Sequence, residues 1–254
     1  MQTRRHFLAS APALVAACAV STPGYASDIP VSDAELKHQM LGKLTNELND
    51  QIVAGNETTY LFNAFFSWTP PTIDVDRINT IIAYSFGNRA ATGSAAPTPG
   101  PVNEQIADAV FQLRQKISAP IYAQQEVANV LAAKYPMTTG VMPIGTPTGP
   151  SSLDINVPTP DGVAAEIVKQ AGTATALGSV AVVTHADQAA LAIQMSRGAG
   201  MKAAAANGLT LPLAYDASAQ QSALRRRDLY LSGNLAAQLA MLRLALIDQQ
   251  YPNG

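Results

Sequence analysis

Ser179-Val180-Ala181-Val182-Val183-Thr184-His185-Ala186-Asp187-Gln188 decides how this chain folds. The run from Val180 to Val183 is apolar without interruption, so it has no wet face and reads as a strand buried on both sides, the mark of a parallel sheet covered by helices. Thr184 and His185 end the strand. A helix is expected from 186 to 197, stopped by Gly198 and Gly200.

Working outward, the same unit recurs. Residues 78–84 and 119–123 read as strands and 140–145 as a third, with 201–206 as the next strand after the opening stretch. Helical periodicity fills 102–116, 125–134 and 161–170, and a last helix is expected over 218–249, with Leu235, Leu239, Leu242 and Leu246 on one stripe. Such alternation predicts an α/β fold over residues 73–254: a Rossmann-like open, mainly parallel sheet with helices on both faces. Residues 93–101 are a Gly-, Pro-, Ser- and Thr-rich connection of the kind that lies over a site, and 151–161 is a polar loop with Pro160 set for the first turn of the next helix. Residues 209–216, with Tyr215-Asp216, read as a loop crossing the sheet edge without chemistry of its own.

Ahead of the sheet, residues 27–72 read as a helical arm. Ser32 caps a helix that Glu35 closes as a capping box and that runs to about Ala54, and Tyr60, Phe62, Phe65, Phe66 and Trp68 form an aromatic docking segment. His38 falls on the solvated face of this helix.

The first 26 residues read as an export signal. Arg4-Arg5-His6-Phe7-Leu8 is similar to a twin-arginine pattern, Ala11 to Val20 is a weakly apolar core, and cleavage after Ala26 starts the exported chain at Ser27. Val15-Ala16-Ala17-Cys18 also resembles a lipobox, so lipidation at Cys18 is the alternative and the one route by which membrane association is expected.

Composition narrows the function classes. The 254 residues carry 16 Lys+Arg and 18 Asp+Glu, a net charge of −2, which supplies no basic footprint for a nucleic acid. One cysteine and three histidines give no metal-ligand spacing, so no metal is expected. Arg225-Arg226-Arg227 reads as a solvated face. No feature names a cofactor or sets an oligomeric state.

In a parallel sheet the ligand lies beyond the strands' carboxyl ends. That rule selects Ser85, Gly87, Asn88 and Arg89 after the first strand, Gln124 after the second, Thr159 before the 161–170 helix, and Thr184, Asp187 and Gln188 after the fourth, as ligand-binding candidates. His185, Glu126 and Asp161 are the candidate acid–base residues, because an imidazole and two carboxylates at one sheet edge suit proton transfer.

Over about residues 77–241 the chain resembles the SanA/ElyC/YdcF family of bacterial envelope proteins. The resemblance rests on Gly87 after an apolar strand, Glu126-Val127-Ala128 opening a helix, Thr159-Pro160-Asp161-Gly162-Val163, and Val182-Val183-Thr184-His185-Ala186-Asp187-Gln188-Ala189-Ala190-Leu191-Ala192, where the family shows Val-Val-Thr-Ser-x-Tyr-His-x-x-Arg-Ala. Here Gln188 stands for the family's His, Leu191 for its Arg and His185 for its Ser, and Ala123-Gln124-Gln125 replaces a Gly-rich turn. The resemblance implies an exported protein that binds or processes a small ligand, in the phosphate or nucleotide class, in support of the cell envelope. The departures imply the alternative, a non-catalytic binding or scaffold protein that has lost the family site.

Overall fold

The structure is a computed structural model that describes residues 32–66, 69–90, 98–145, 160–231, 233–234 and 250. Residues 1–26, where an export signal is expected, and Trp68, Thr159 and the expected Leu235–Leu246 stripe lie outside the described residues.

Six strands form one sheet in which every pairing is parallel: β1 (Thr72–Ile73), β2 (Thr80–Ala83), β5 (Ile121–Gln124), β6 (Val141–Ile144), β7 (Ser179–Val183) and β8 (Lys202–Ala206), in the order β1-β8-β7-β2-β5-β6. Helices α3 (Pro101–Lys116), α4 (Gln125–Lys134), α5 (Pro160–Ala171) and α6 (Ala186–Gly198) connect them. The α/β fold with helices on both faces is thus present, and the central strands owe it to their apolar runs. All four residues of β2 are buried. Ile81 and Ala83 face a core shared with Ile106, Val110 and Leu113 of α3 and Val127 and Leu131 of α4. Ile82, Val180 and Val182 face the opposite core, with Val163 and Ile167 of α5 and Ala192 and Ile193 of α6. The period of two that separates Ile81 from Ile82 thus divides the molecule into two layers around the sheet.

Three short strands were beyond the reach of periodicity. β1 forms an edge beside β8, and β3 (Asn88–Arg89) pairs antiparallel with β4 (Thr98–Pro99) in a separate ribbon. Two residues display no period, so only their partners define them.

The arm differs from the single helix expected over 32–54. It is a pair, α1 (Asp33–Leu48) and α2 (Gln51–Phe66), broken where Asn49 takes the left-handed conformation at φ 50° and Asp50 Oδ1 accepts the amides of Ile52 and Val53. The capping box is half made. Ser32 Oγ accepts the Glu35 amide at 3.1 Å, but Glu35 Oε1 takes the Gln39 side chain instead of reaching back. The expected aromatic docking segment is helical through Phe66, and Tyr60 stands 72% exposed on it.

The last expected helix also starts late. Residues 207–221 run as an irregular strap, Ser222–Leu224 makes one 3-10 turn, and helical structure begins only at 227. Gln220 donates its amide to Asn88 O at 2.8 Å, and Ala219 bridges Arg89 antiparallel, so the strap is stitched to the exit of β2.

Candidate functional site

After β2 the chain moves through β5 to β6 on one side; after β6 it returns to β7 on the other side of β2. The carboxyl ends of β2 and β7 therefore flank the topological switch point, where α/β sheets open a crevice for ligands. Ten of the twelve candidate residues sit on the exits of β2, β5 and β7, and hydrogen bonds join most of them. Gln124, 3% exposed, accepts the Ser85 amide at 3.0 Å. Gln188 Nε2 bridges Ser85 O at 3.2 Å and Thr184 Oγ1 at 3.0 Å, tying the β2 exit to the start of α6. Gly87 adopts φ 71°, a turn that a side chain resists, and its carbonyl accepts from Asn103, whose Oδ1 takes the Phe86 amide at 2.8 Å.

His185 is the N-cap of α6. Its Nδ1 accepts the Asp187 amide at 3.2 Å, so the proton of the neutral ring sits on Nε2. The ring is fully buried: it stacks on Phe86 with centroids 4.1 Å apart and meets the edge of Tyr215 at 4.6 Å. Nε2 has no hydrogen-bond partner among the described residues, although the Leu213 and Ala214 backbone lies close enough to favour the protonated form. Burial outweighs that influence and the pull of Asp187, and with Arg227 nearby the imidazole pKa is held below its ordinary 6.5. The sequence reads this imidazole as a general base or a ligand-binding donor at the strand end. The ring is instead a capping group sealed inside an aromatic cluster that also includes Tyr230.

Asp187 is likewise committed. Its carboxylate accepts Arg227 at 2.9 and 3.0 Å and the Tyr215 hydroxyl at 2.7 Å, while Arg227 also meets Asp33 of α1 at 2.7 Å. Burial pushes the Asp187 pKa up, but the Arg227 and Tyr215 hydrogen bonds more than offset it and the net shift is downward. Burial beside Asp187 raises the Tyr215 phenol far above its usual range, so it stays a hydrogen-bond donor. The expected solvated face holds for Arg225 and Arg226, which are exposed, and is corrected only at Arg227. Arg227 has a side chain only 15% exposed, Arg225 donates to Ala219 O at 2.7 Å, and Arg226 pairs with Asp228.

The first turn of α6 is closed by the chain itself. Its Ala186 amide goes to Pro212 O at 2.9 Å, the Asp187 amide to His185, and the Gln188 amide to His185 O.

On the other flank, Arg89 grips Asp216 of the strap with Nε at 2.9 Å and a terminal nitrogen at 3.3 Å. Asp216 is 8% exposed, and the Arg89 and Ser218 hydrogen bonds outweigh its burial and lower its pKa. Asn88 exchanges hydrogen bonds with the Gln221 side chain at 3.2 and 2.9 Å.

Glu126 occupies the first turn of α4, where a carboxylate complements the helix dipole. Its Oε2 is buried without a partner among the described residues, and no described bond or ring contact joins it to His185. Asp161 lies in the first turn of α5, on the opposite face of the sheet from α4.

Sequence reasoning missed Asn103, Tyr215, Asp216, Gln221, Arg227 and Tyr230. Tyr215-Asp216 offered a signal, an aromatic beside an acid in a loop at the sheet edge, whereas Arg227 looked like any charge on a basic run. Among the described residues no three His, Cys, Asp or Glu side chains gather to hold a metal. Comparison of the chain with protein-family models, with curated proteins and with solved structures finds no match.

Proposed function

We propose that this is an exported envelope protein that binds a small ligand at the β2/β7 switch point and does not use His185 as an acid or base. One observation carries the reading. The polar groups that chemistry would need are spent on the protein's own architecture: His185 caps α6, Asp187 is held by Arg227 and Tyr215, and Gln188 bridges Ser85 and Thr184. A general base must reach its substrate within hydrogen-bond distance, and a fully buried imidazole under Phe86 and Tyr215 does not. The resemblance to the SanA/ElyC/YdcF family and the twin-arginine pattern support the envelope setting.

Mass spectrometry of small molecules retained by the natively exported protein tests the reading, alongside a screen for turnover of phosphoesters and nucleotides. A retained molecule that is recovered unchanged supports binding. Turnover that disappears in a correctly folded His185→Ala variant would return the site to catalysis, and protein recovered without any retained molecule would remove the binding role.

A further inference from the structure

The turn that follows β8 places a nucleophile next to an electrophile. Leu209 donates its amide to Ala206 O at 3.2 Å, which closes Ala206-Asn207-Gly208-Leu209 into a four-residue turn, and Gly208 holds its third position with φ 71°. Glycine takes that backbone without strain. Among the described residues Asn207 is the only asparagine followed by glycine, and both residues are exposed. The Gly208 amide has no hydrogen-bond partner among the described residues, and no side chain at 208 shields its nitrogen. The Asn207 carboxamide lies one residue back along the chain, so attack by that nitrogen closes a five-membered ring and gains the full advantage of an intramolecular step.

The surroundings of Asn207 give that reaction a structural consequence. β1 is two residues long and is fastened to β8 by the Ala205 amide on Pro71 O and the Asn207 amide on Ile73 O, each at 2.8 Å. Beside them Asn207 Nδ2 donates to Asp74 Oδ1 at 3.2 Å. Turning the carboxamide into a carboxylate would remove this donor and set two like charges against each other at the strand's end.

We propose that Asn207-Gly208 is a self-modification site, whose conversion to aspartate or isoaspartate loosens the β1 edge of the sheet as the protein ages. The Gly208 nitrogen attacks Asn207 Cγ. The N–Cγ bond forms, the Cγ–Nδ2 bond breaks, and Nδ2 departs as ammonia with the proton that Gly208 gives up. Water then opens the cyclic imide. Addition at Cγ restores the ordinary backbone with an aspartate at 207, whereas addition at the backbone carbonyl leaves an isoaspartate, whose main chain runs through the former side chain and lengthens the turn. Nothing is oxidised or reduced, and water is the co-reactant. The site is independent of any ligand at the switch point.

Peptide mass spectrometry of the full chain, kept folded at a series of rising pH values, tests the chemistry. The peptide that carries residues 207 and 208 should gain the mass of an amide-to-acid exchange, faster at higher pH because the nitrogen attacks once it has lost its proton. Asn207→Gln should abolish the gain, and Gly208→Ala should slow it by about tenfold through crowding of the attacking nitrogen. If Gly208→Ala fails to fold at φ 71°, the pH series and Asn207→Gln carry the test. Hydrogen exchange reads the consequence. Asn207→Asp should speed exchange at the amides of residues 205 and 207 by about threefold. Adding Asp74→Asn to it should restore the original rate, since a donor again faces an acceptor. A folded chain that shows no conversion over a period in which the urea-unfolded chain converts fully overturns the site, as does an undiminished gain in folded Gly208→Ala. Unchanged exchange in Asn207→Asp, or acceleration that Asp74→Asn does not reverse, overturns the loosening.

Discussion

Protonating His185 requires a proton at Nδ1, the atom that accepts the Asp187 amide, so acidification turns an acceptor into a donor facing a donor and removes the cap of α6. The unfolded chain's imidazole titrates at its ordinary 6.5 and the folded one lower, so between the two the unfolded state binds more protons. Stability is full above pH 6.5 and is lost as the pH falls below it. Urea unfolding across that window should show a steeper pH dependence in the wild type than in His185→Gln; equal slopes would assign the loss to other groups. Asp187 and Arg227, whose side chains are 10% and 15% exposed, form a nearly dry pair, and Asp187→Asn should cost about 3 kcal/mol by removing one partner. Asp33→Asn, at a carboxylate 59% exposed, should cost less than about 1 kcal/mol. The same denaturation series separates them. At this scale the sequence places these residues correctly at the ends of their strands but does not show what each side chain touches. Position after a strand is encoded locally, which is why His185, Asp187 and Gln188 were found; burial and partnership come from residues such as Tyr215 and Arg227, the latter 40 residues away, which carry no spacing signal.

Two elements are held by local chemistry that substitution can probe. The break between α1 and α2 sits at Asn49, whose left-handed backbone asparagine tolerates and glycine prefers. Asn49→Gly should leave thermal stability unchanged or slightly raised, and Asn49→Ala should lower it by about 1 kcal/mol. At the start of α3, Gly100→Ala would bring a methyl to 2.9 Å from Asp216 Oδ2, a side-chain tip that can shift, so a loss of at most about 1 kcal/mol by chemical denaturation is expected. Strands β2, β5, β7 and β8 were legible because buried parallel strands need apolar runs. The arm was misread because the Leu36–Ile52 stripe continues across the break, and the strap was misread as helix from 218 because an Ala- and Leu-rich sequence states propensity and not where the Arg89–Asp216 contact, 127 residues apart, will hold it.

For the whole molecule, the twin-arginine reading predicts that replacing Arg4-Arg5 with Lys-Lys retains the protein inside the cell and that the exported chain begins at Ser27. Mass spectrometry of its N-terminus checks both, and an acylated Cys18 would reverse the assignment in favour of the lipoprotein. Fold class emerged from the sequence because it depends on many residues agreeing, whereas the crevice depends on a few that are distant in the chain. The edge pairing of β1 with β8 has a consequence in time. Asn207 donates to Asp74 over a separation of 133 residues beside that pairing, so β1 has no strand to join until almost the entire sheet has been synthesised. At a synthesis rate of about 5–20 residues per second the amino-terminal edge waits on the order of ten seconds, longer than local helices take to form by many orders of magnitude. β1 and β8 are thus joined late, after every other strand of the sheet has left the ribosome.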